Sequence, residues 1–213
     1  MMAMTMECRT LRSDEPLAIE LTTALKRGEV VQIKQLLAAT PGLARCVVEN
    51  PKGVGRSPLH VFADWPGHNP NAAAIVEMLI AAGADLDAHA IGTWHLETPL
   101  HWAASNDDIE LIDALLDAGA DIECTGSSID GGAPLSSAVG YGQWAAARRL
   151  VERGARTLLW HEAALGPMPA ITRRLGADPP PNGDELSGAF WNACHGEQLA
   201  AAEYLTAHGA SLN

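Results

Sequence analysis

Apolar residues recur at helical spacing in short blocks along most of the chain. In one block Leu111, Ile112, Leu115 and Leu116 fall on one face of a helix. Five blocks end in similar stretches, and their glycines are 36, 35, 22 and 33 residues apart: Gly83, Gly119, Gly154, Gly176 and Gly209. Glycine readily adopts the left-handed conformation that ends a helix. The pattern therefore predicts pairs of helices that repeat along the chain.

The helix before each of these blocks opens in a recurring way. The clearest openings are "SPLHVFA" (Ser57–Ala63), "TPLHWAA" (Thr98–Ala104) and "APLSSAV" (Ala133–Val139), and the weaker copies are "TLLWHEA" (Thr157–Ala163) and "SGAFWNA" (Ser187–Ala193). The hydroxyl of Ser57 or Thr98 can accept from amides of the first helical turn. Proline fits the first helical position, where its missing N–H costs nothing. Each opening therefore predicts the start of a helix.

Together, "TPLHWAA" with "LLDAGAD" and "SPLHVFA" with "LIAAGAD" resemble the ankyrin repeat family. The resemblance implies an all-α, ankyrin-repeat solenoid of about six helix-turn-helix units with projecting extended loops. Residues 1–14 are expected to form a flexible N-terminal segment and residues 15–213 a single domain. The expected units are 15–54, 55–96, 97–131, 132–156, 157–183 and 184–213, the first and last being caps.

Departures from the repeat pattern are concentrated at two places. The second pair carries an insertion, "DWPGHNPN" (Asp64–Asn71), and is followed by a long loop, Leu86–Glu97. The join Arg153–Gly166 is short, and a proline-rich linker, Asp178–Glu185, precedes the last pair. We expect the array to be irregular toward its C-terminal half.

Charge is distributed unevenly. The net charge is −12, and the stretch from Ser57 to Ala147 holds thirteen acids and no Lys or Arg. Such a band repels phosphate backbones, which argues against nucleic-acid binding, and it attracts cationic partners. A solvated acidic face that maintains solubility is the alternative interpretation.

The histidine of "TPLH" raises the question of chemistry. His60 and His101 occupy the same slot, and Ser136, Trp160 and Phe190 occupy it elsewhere, which would be unusual for a catalytic base. In the ankyrin family this slot implies a scaffold histidine that bonds the backbone of an adjacent loop. The competing hypothesis is a metal- or small-molecule-dependent function in a pocket at the 64–71 insertion with His95 and His101.

The tryptophans can likewise be interpreted as core residues or as interaction residues. Trp102, Trp160 and Trp191 are expected in the core, at the interfaces between repeats. Trp94 lies on the long loop, where it is either an interaction anchor or a lid folded over the insertion.

The favoured function is a non-catalytic protein–protein interaction module, which binds a basic or mixed partner segment on its acidic concave face. An inhibitor or immunity protein that neutralises one partner is a subclass, and eleven Arg against three Lys weakly indicate a bacterial source. The expected partner-binding residues are Asp64, Trp65, His89, Ile91, Trp94, His95, Ser105, Asn106, Ser127, Ser128, Ile129, Asp130 and Tyr141, with Gly140 beside them.

Other classes of function find little support. No CxxC, phosphate loop, HExxH or nucleophile elbow occurs, so neither a cofactor nor a metal is expected. Cys8, Cys46, Cys124 and Cys194 are far apart, which favours reduced and mostly buried thiols. Without a signal peptide or an apolar span, we expect a cytoplasmic monomer that does not contact membranes.

Overall fold

The computed structural model of the protein describes residues 9–211. Over that range the chain forms three short strands, one 3₁₀ turn and twelve α-helices. In chain order these are β1 (Thr10–Arg12), α1 (Pro16–Arg27), α2 (Val30–Ala39), the 3₁₀ turn (Leu43–Arg45), β2 (Val47–Glu49), β3 (Gly55–Arg56), α3 (Pro58–Ala63), α4 (Ala72–Ala81), α5 (Pro99–Ser105), α6 (Ile109–Asp117), α7 (Pro134–Gly140), α8 (Trp144–Glu152), α9 (Leu159–Leu165), α10 (Met168–Leu175), α11 (Gly183–His195) and α12 (Leu199–Ala207).

The helices start and stop largely where local chemistry predicts. Ser57 accepts a 3.3 Å hydrogen bond from the amide of His60, and proline stands in the first turn of α3, α5 and α7. Gly28 ends α1 with a φ of 65°, the left-handed conformation that glycine readily adopts at the end of a helix. Consecutive helices therefore pair off along the chain.

The pairs stack in two rows. The odd-numbered helices form one row, in which α1 packs on α3, α3 on α5, α5 on α7, α7 on α9 and α9 on α11; α2, α4, α6 and α8 form the second row. Ala103 and Ala104 are fully buried in α5, where their small size lets neighbouring helices approach closely. This mostly helical stack confirms the predicted all-α solenoid architecture.

A small sheet covers the start of the array. β1 pairs with β2 in parallel, Leu11 opposite Val48, and β2 pairs with β3 in the antiparallel sense. Leu11 and Val48 are buried in the apolar core. The expected flexible segment 1–14 is therefore corrected at residues 10–12, because pairing and burial fix them there. Residues 1–8 lie outside the described residues.

The apolar core is divided into two clusters. The first contains buried residues from Leu11 to Ala155 together with Ala164, and the second contains buried residues from Leu159 to Ala210. The boundary falls at the short connection between α8 and α9. This division agrees with the irregularity expected in the C-terminal half.

The last helix pair differs from its expected bounds. α11 begins at Gly183, a full turn before the predicted opening at Ser187, because Asn182 caps it. The Asn182 side-chain oxygen accepts from the amides of Asp184 and Glu185 at 2.9 and 3.0 Å, and Glu185 accepts from the Asn182 amide at 2.8 Å.

None of the helices within residues 9–211 combines the length and apolar character that crossing a membrane requires. Among the cysteines in that range, Cys46 is buried, Cys124 is half-buried and Cys194 is exposed. Burial of the thiols is therefore confirmed only for Cys46, and Cys8 lies outside the described residues.

Candidate functional site

Two histidines hold adjacent repeats together. The Nε2–H of His60 donates to the carbonyl of Glu97 at 3.0 Å, and that of His101 donates to the carbonyl of Gly132 at 3.2 Å. The Nδ1 of His101 accepts from the Thr98 amide at 3.1 Å, and that of His60 lies 2.8 Å from the Ser57 hydroxyl. Both rings are buried and bonded through both nitrogens, which confirms the scaffold role.

Burial also fixes the charge state of these rings. Loss of hydration lowers the pKa of His60 to about 4, and it also lowers the pKa of His101. Each imidazole is therefore neutral near pH 7. Because its two nitrogens are already bonded, His101 would have to break these contacts to ligate a metal.

The histidine slot of the fifth pair needs a correction. The sequence placed Trp160 there, but His161 is the residue that repeats the arrangement. Its Nδ1 accepts from the Leu158 amide at 3.0 Å, and its Nε2 lies 3.2 Å from the Ser136 hydroxyl. Burial lowers the pKa of His161 to about 4. The residue was missed because leucine stands at position 158, where Thr98 or Ser57 marks the start of the motif elsewhere.

Glu97 connects the long loop to its neighbours. One carboxylate oxygen accepts from the Trp102 indole N–H at 3.1 Å, and the other accepts from the Ser128 amide at 2.8 Å. Its backbone carbonyl accepts from His60. A single residue thus fixes the position of the loop against α5 and against the next loop.

A pocket of about 160 Å³, here called the central pocket, lies over the ends of α3, α5 and α7. Trp65 is 76% exposed and Tyr141 is 53% exposed. The lining residues are Asp64, Trp65, Glu97, Trp102, Ser105, Asn106 and Tyr141. Five of these were predicted to bind a partner, so the fold brings that part of the predicted set together.

Polar contacts fix the floor of the central pocket. The amide of the Asn106 side chain donates to the carbonyl of Ala63 at 2.8 Å. Asp64 pairs with Arg56 at 2.6 Å and with Lys26 at 3.7 Å. Asp64 and Asn106 therefore act first as structural residues, while the aromatic side chains remain available above them.

A second pocket, here called the loop pocket, has a volume of about 580 Å³. It is lined by Trp94, His95, Leu96, Thr125, Gly126, Ser127, Ser128, Asp130 and Gly131. Trp94 is 88% exposed and its ring centroid lies 3.6 Å from that of His95. Trp94 does not fold back over the insertion, which excludes one of the two roles considered for it.

The two pockets are joined by a hydrogen bond between residues that line them. The hydroxyl of Ser128, in the loop pocket, lies 3.0 Å from the hydroxyl of Tyr141, in the central pocket. The Ser128 amide is also bound by Glu97. Exposed aromatic rings therefore stand on a frame that is fixed by hydrogen bonds on both sides.

The remaining predicted contact residues are placed differently. His89 and Ile91 are exposed on the long loop, and Ile129 packs against Gly140, leaving no space for a side chain there. Ser127 is 3% exposed and lies 2.7 Å from the Ser137 hydroxyl. Ser127 is therefore corrected from a contact residue to an internal support for the loop.

Two tryptophans also differ from their expected positions. Trp191 is 62% exposed on α11, so its assignment to the core was wrong. Trp102 is half-buried, and its ring centroid lies 5.0 Å from that of His60 in an edge-to-face arrangement. Trp160 is likewise half-buried, so these two rings belong to the core only in part.

The 64–71 insertion is attached to the neighbouring repeats. The His68 amide donates to Asp108 at 2.6 Å, and the Asn71 side chain donates to the Gly28 carbonyl at 3.0 Å. Asp108 also accepts from the Leu111 amide at 3.1 Å and so caps the start of α6. Between residues 9 and 211, no group of three or more His, Cys, Asp or Glu is arranged to hold a metal ion.

Part of the acidic band is neutralised within the fold. Partial burial acts to raise the pKa of Asp113, but hydrogen bonds from Arg149 and Arg153 lower it below its ordinary value. On the loops, burial raises the pKa of Asp87, which accepts from the Asp121 amide at 3.0 Å. Asp130 is exposed on the loop pocket and takes no part in the ion pairs of the described chain.

Comparison with protein-family models identifies ankyrin repeats, in three copies, over residues 68–159. A search of curated proteins gave no significant match. The matched range contains two of the histidine slots, His101 and Ser136, and the glycines that follow α4, α6 and α8. Residues 68–159 of the chain therefore carry ankyrin repeats.

Proposed function

We propose that this protein is a non-catalytic binding module, which holds a partner protein on the surface formed by the central pocket and the loop pocket. Ankyrin repeats are in general protein–protein interaction modules. The observation that carries the proposal here is the exposure of Trp65, Trp94 and Tyr141 on a frame fixed by Glu97 and Ser128.

Aromatic side chains are the residues that most often dominate binding energies at protein interfaces. Here they cost little entropy on binding, because hydrogen bonds already fix the loops that carry them. A rigid surface of this kind favours binding through shape, with no need for a reacting group.

The partner surface is proposed to be basic or mixed. Asp130 lies on the loop pocket, and Asp85, Asp121 and Glu123 lie on the loops along the same edge. None of these four takes part in an ion pair within the part of the chain that is described. Uncompensated carboxylates on one face steer cationic partners toward it.

All six helix pairs are proposed to be repeat units, with the first and last as caps. The row of odd-numbered helices is proposed to form the concave face. A single copy of the chain carries both pockets, so a monomer suffices for the proposed function. The expected cytoplasmic location stays a prediction.

Affinity capture from an extract of the native cells tests the proposal. We expect the wild-type chain to retain a specific partner, and Trp65→Ala and Trp94→Ala to lose most of it. The matched control is Leu199→Ala, which removes an apolar side chain that is 70% exposed on α12 and lines neither pocket. Retention of the same partner by both tryptophan variants, with unchanged melting temperatures, would exclude this surface.

A further inference from the structure

A larger cavity adjoins the surface just described and shares Asp130 with it. It has a volume of about 690 Å³, within the range of ligand sites, and it runs between α7, α9 and α11. We call it the junction groove, because it lies where the first apolar cluster meets the second. Of the residues proposed above for partner binding, it contains Ile129 and Asp130.

The groove exists because one inter-repeat loop is missing. Long loops precede α5 and α7, but only a few residues join Gly154 to α9. The proline-rich linker, Pro179–Pro181, forms the opposite wall. An open channel therefore remains at the one place where the array is interrupted.

The wall formed by α9 is apolar in a way that helix chemistry does not explain. Leu158 stands immediately before α9, at the position where Ser57 or Thr98 offers an oxygen to its helix, and it is 53% exposed. Beside it, Trp160 lines the groove and is half-buried. A residue that breaks a local rule without helping the fold is expected at a functional position.

The charge of the groove is negative. Arg174 is the one cation among the described residues that line it, and its guanidinium is engaged by Glu162 at 2.9 Å and by the carbonyl of Thr157. Asp130, Asp184 and Glu185 are exposed on the rim and form no ion pairs within residues 9–211. The rim therefore complements a cation.

We propose that the junction groove is a second docking site, which takes an extended segment of a partner protein in which an apolar side chain alternates with arginine. The apolar side chain packs on Leu158 and Trp160, and the guanidinium groups face Asp130 and Asp184. Arginine suits the site better than lysine, because a guanidinium both pairs with carboxylates through two hydrogen bonds and stacks on an indole.

The same charges exclude other occupants. A phosphate group or nucleic acid would be repelled by the three rim carboxylates. A second copy of this chain, with its net charge of −12, meets the same repulsion. A basic and apolar peptide is the occupant that matches both the wall and the rim.

The test uses two synthetic peptides with the full chain. The probe is acetyl-Gly-Arg-Leu-Arg-Phe-Gly-amide, and the matched peptide carries glutamate at both arginine positions. Titration into ¹⁵N-labelled protein reports the affinity and the site through the amide signals of 158–160 and the Trp160 indole signal. We expect saturable shifts there with the arginine peptide only.

Two variants remove the proposed contacts without harming the fold. Leu158→Thr restores the residue type that Thr98 provides, so it removes apolar surface while supporting the start of α9. The double variant Asp130→Asn and Asp184→Asn removes two charges, and asparagine tolerates the φ of 53° found at position 130. We expect each to weaken the arginine peptide roughly tenfold.

Two controls separate this site from the proposed function. The double variant Glu110→Gln and Glu203→Gln, on α6 and α12, changes the net charge by the same amount as the Asp130 and Asp184 variant. Trp94→Ala removes the anchor of the loop pocket. Both controls are expected to leave the affinity for the arginine peptide unchanged. Failure to bind the arginine peptide at millimolar concentration, or equal binding of the glutamate peptide, would overturn the proposal. Binding that is insensitive to the groove variants but lost in Trp94→Ala would also overturn it, while supporting the function proposed above.

Discussion

The imidazole of His60 and the backbone carbonyl of Glu97 lie 3.0 Å apart although 37 residues separate them in the chain. Glu97 in turn holds Trp102 and Ser128, so the histidine that opens one repeat orients the loop that carries the exposed aromatic residues of the next. The neutral state of one buried ring is therefore connected to the geometry of the binding surface.

The stability of the protein is expected to fall as the pH drops below 6.5. The pKa of His60 is about 4 in the folded chain and near 6.5 when it unfolds, so the unfolded chain takes up a proton first. The neutral His60 ring thus makes its full contribution to the free energy of unfolding above pH 6.5. Roughly 2 kcal/mol of that free energy is lost between pH 7 and pH 5. Urea unfolding at the two pH values measures the loss.

Variants assign this pH dependence to the buried ring. His60→Gln should lower the unfolding free energy at pH 7 and reduce its decrease toward pH 5. His95→Gln, on the half-buried loop histidine, should keep the wild-type decrease. An unchanged decrease in His60→Gln would show that His60 is not the group that titrates.

The pair of Glu162 and Arg174 gives a second prediction. Glu162 is 3% exposed and accepts from Arg174 at 2.9 Å, so Arg174→Ala leaves a carboxylate buried without its cation. We expect a loss of about 3 kcal/mol in urea unfolding, because an uncompensated buried charge is costly. Arg173→Ala, on the exposed neighbour, should cost less than about 0.5 kcal/mol. Adding Glu162→Gln to Arg174→Ala should recover part of the loss, and no recovery would contradict this account.

A glycine pair tests the packing of the loops. Gly126 has a φ of 133°, and a Cβ there would overlap the carbonyl of Leu96, whose amide bonds to the Gly126 carbonyl at 3.1 Å. Gly131 has a φ of 63° with open space around it. Gly131→Ala should cost about 1 kcal/mol of unfolding free energy, from the left-handed backbone alone. Gly126→Ala should cost more, because it also displaces the loop, and should weaken partner binding; equal losses would contradict the close approach.

The ion pairs between α6 and α8, in the second row of helices, give a fourth prediction. Asp113 on α6 is bound by Arg149 at 2.8 Å and by Arg153 at 2.7 Å on α8. Asp113→Ala should cost about 1 kcal/mol at low salt and less in concentrated salt, since exposed pairs are screened. Glu110→Ala on the same helix serves as the control. Thermal melts at two salt concentrations would show a salt-dependent difference between these variants, and its absence would refute the role of the pairs.

The sequence predicts the helix pairs because they depend on local rules. Proline at the first helical position, a hydroxyl before it and glycine at the end of a helix act over a few residues. The scaffold role of His60 and His101 came from the resemblance of their motif to the ankyrin family, and His161 was missed because Leu158 removes the hydroxyl that marks the start of that motif.

Features that depend on distant residues could not be read in this way. Strand β1 is only three residues long, and its partner Val47–Glu49 lies far along the chain. The exposure of Trp191 depends on how α11 is seated in a C-terminal half that departs from the repeat pattern. The pockets arise where several repeats meet, so their existence follows from stacking that no single motif specifies.

The break between the two apolar clusters also determines how the molecule comes apart. In a linear array each unit is stabilised only by its neighbours, so heat or mechanical tension should release α9–α12 as one block before the rest yields. A ligand that bridges α7, α9 and α11 would contact both blocks. Its binding free energy would therefore add to the free energy needed to separate them.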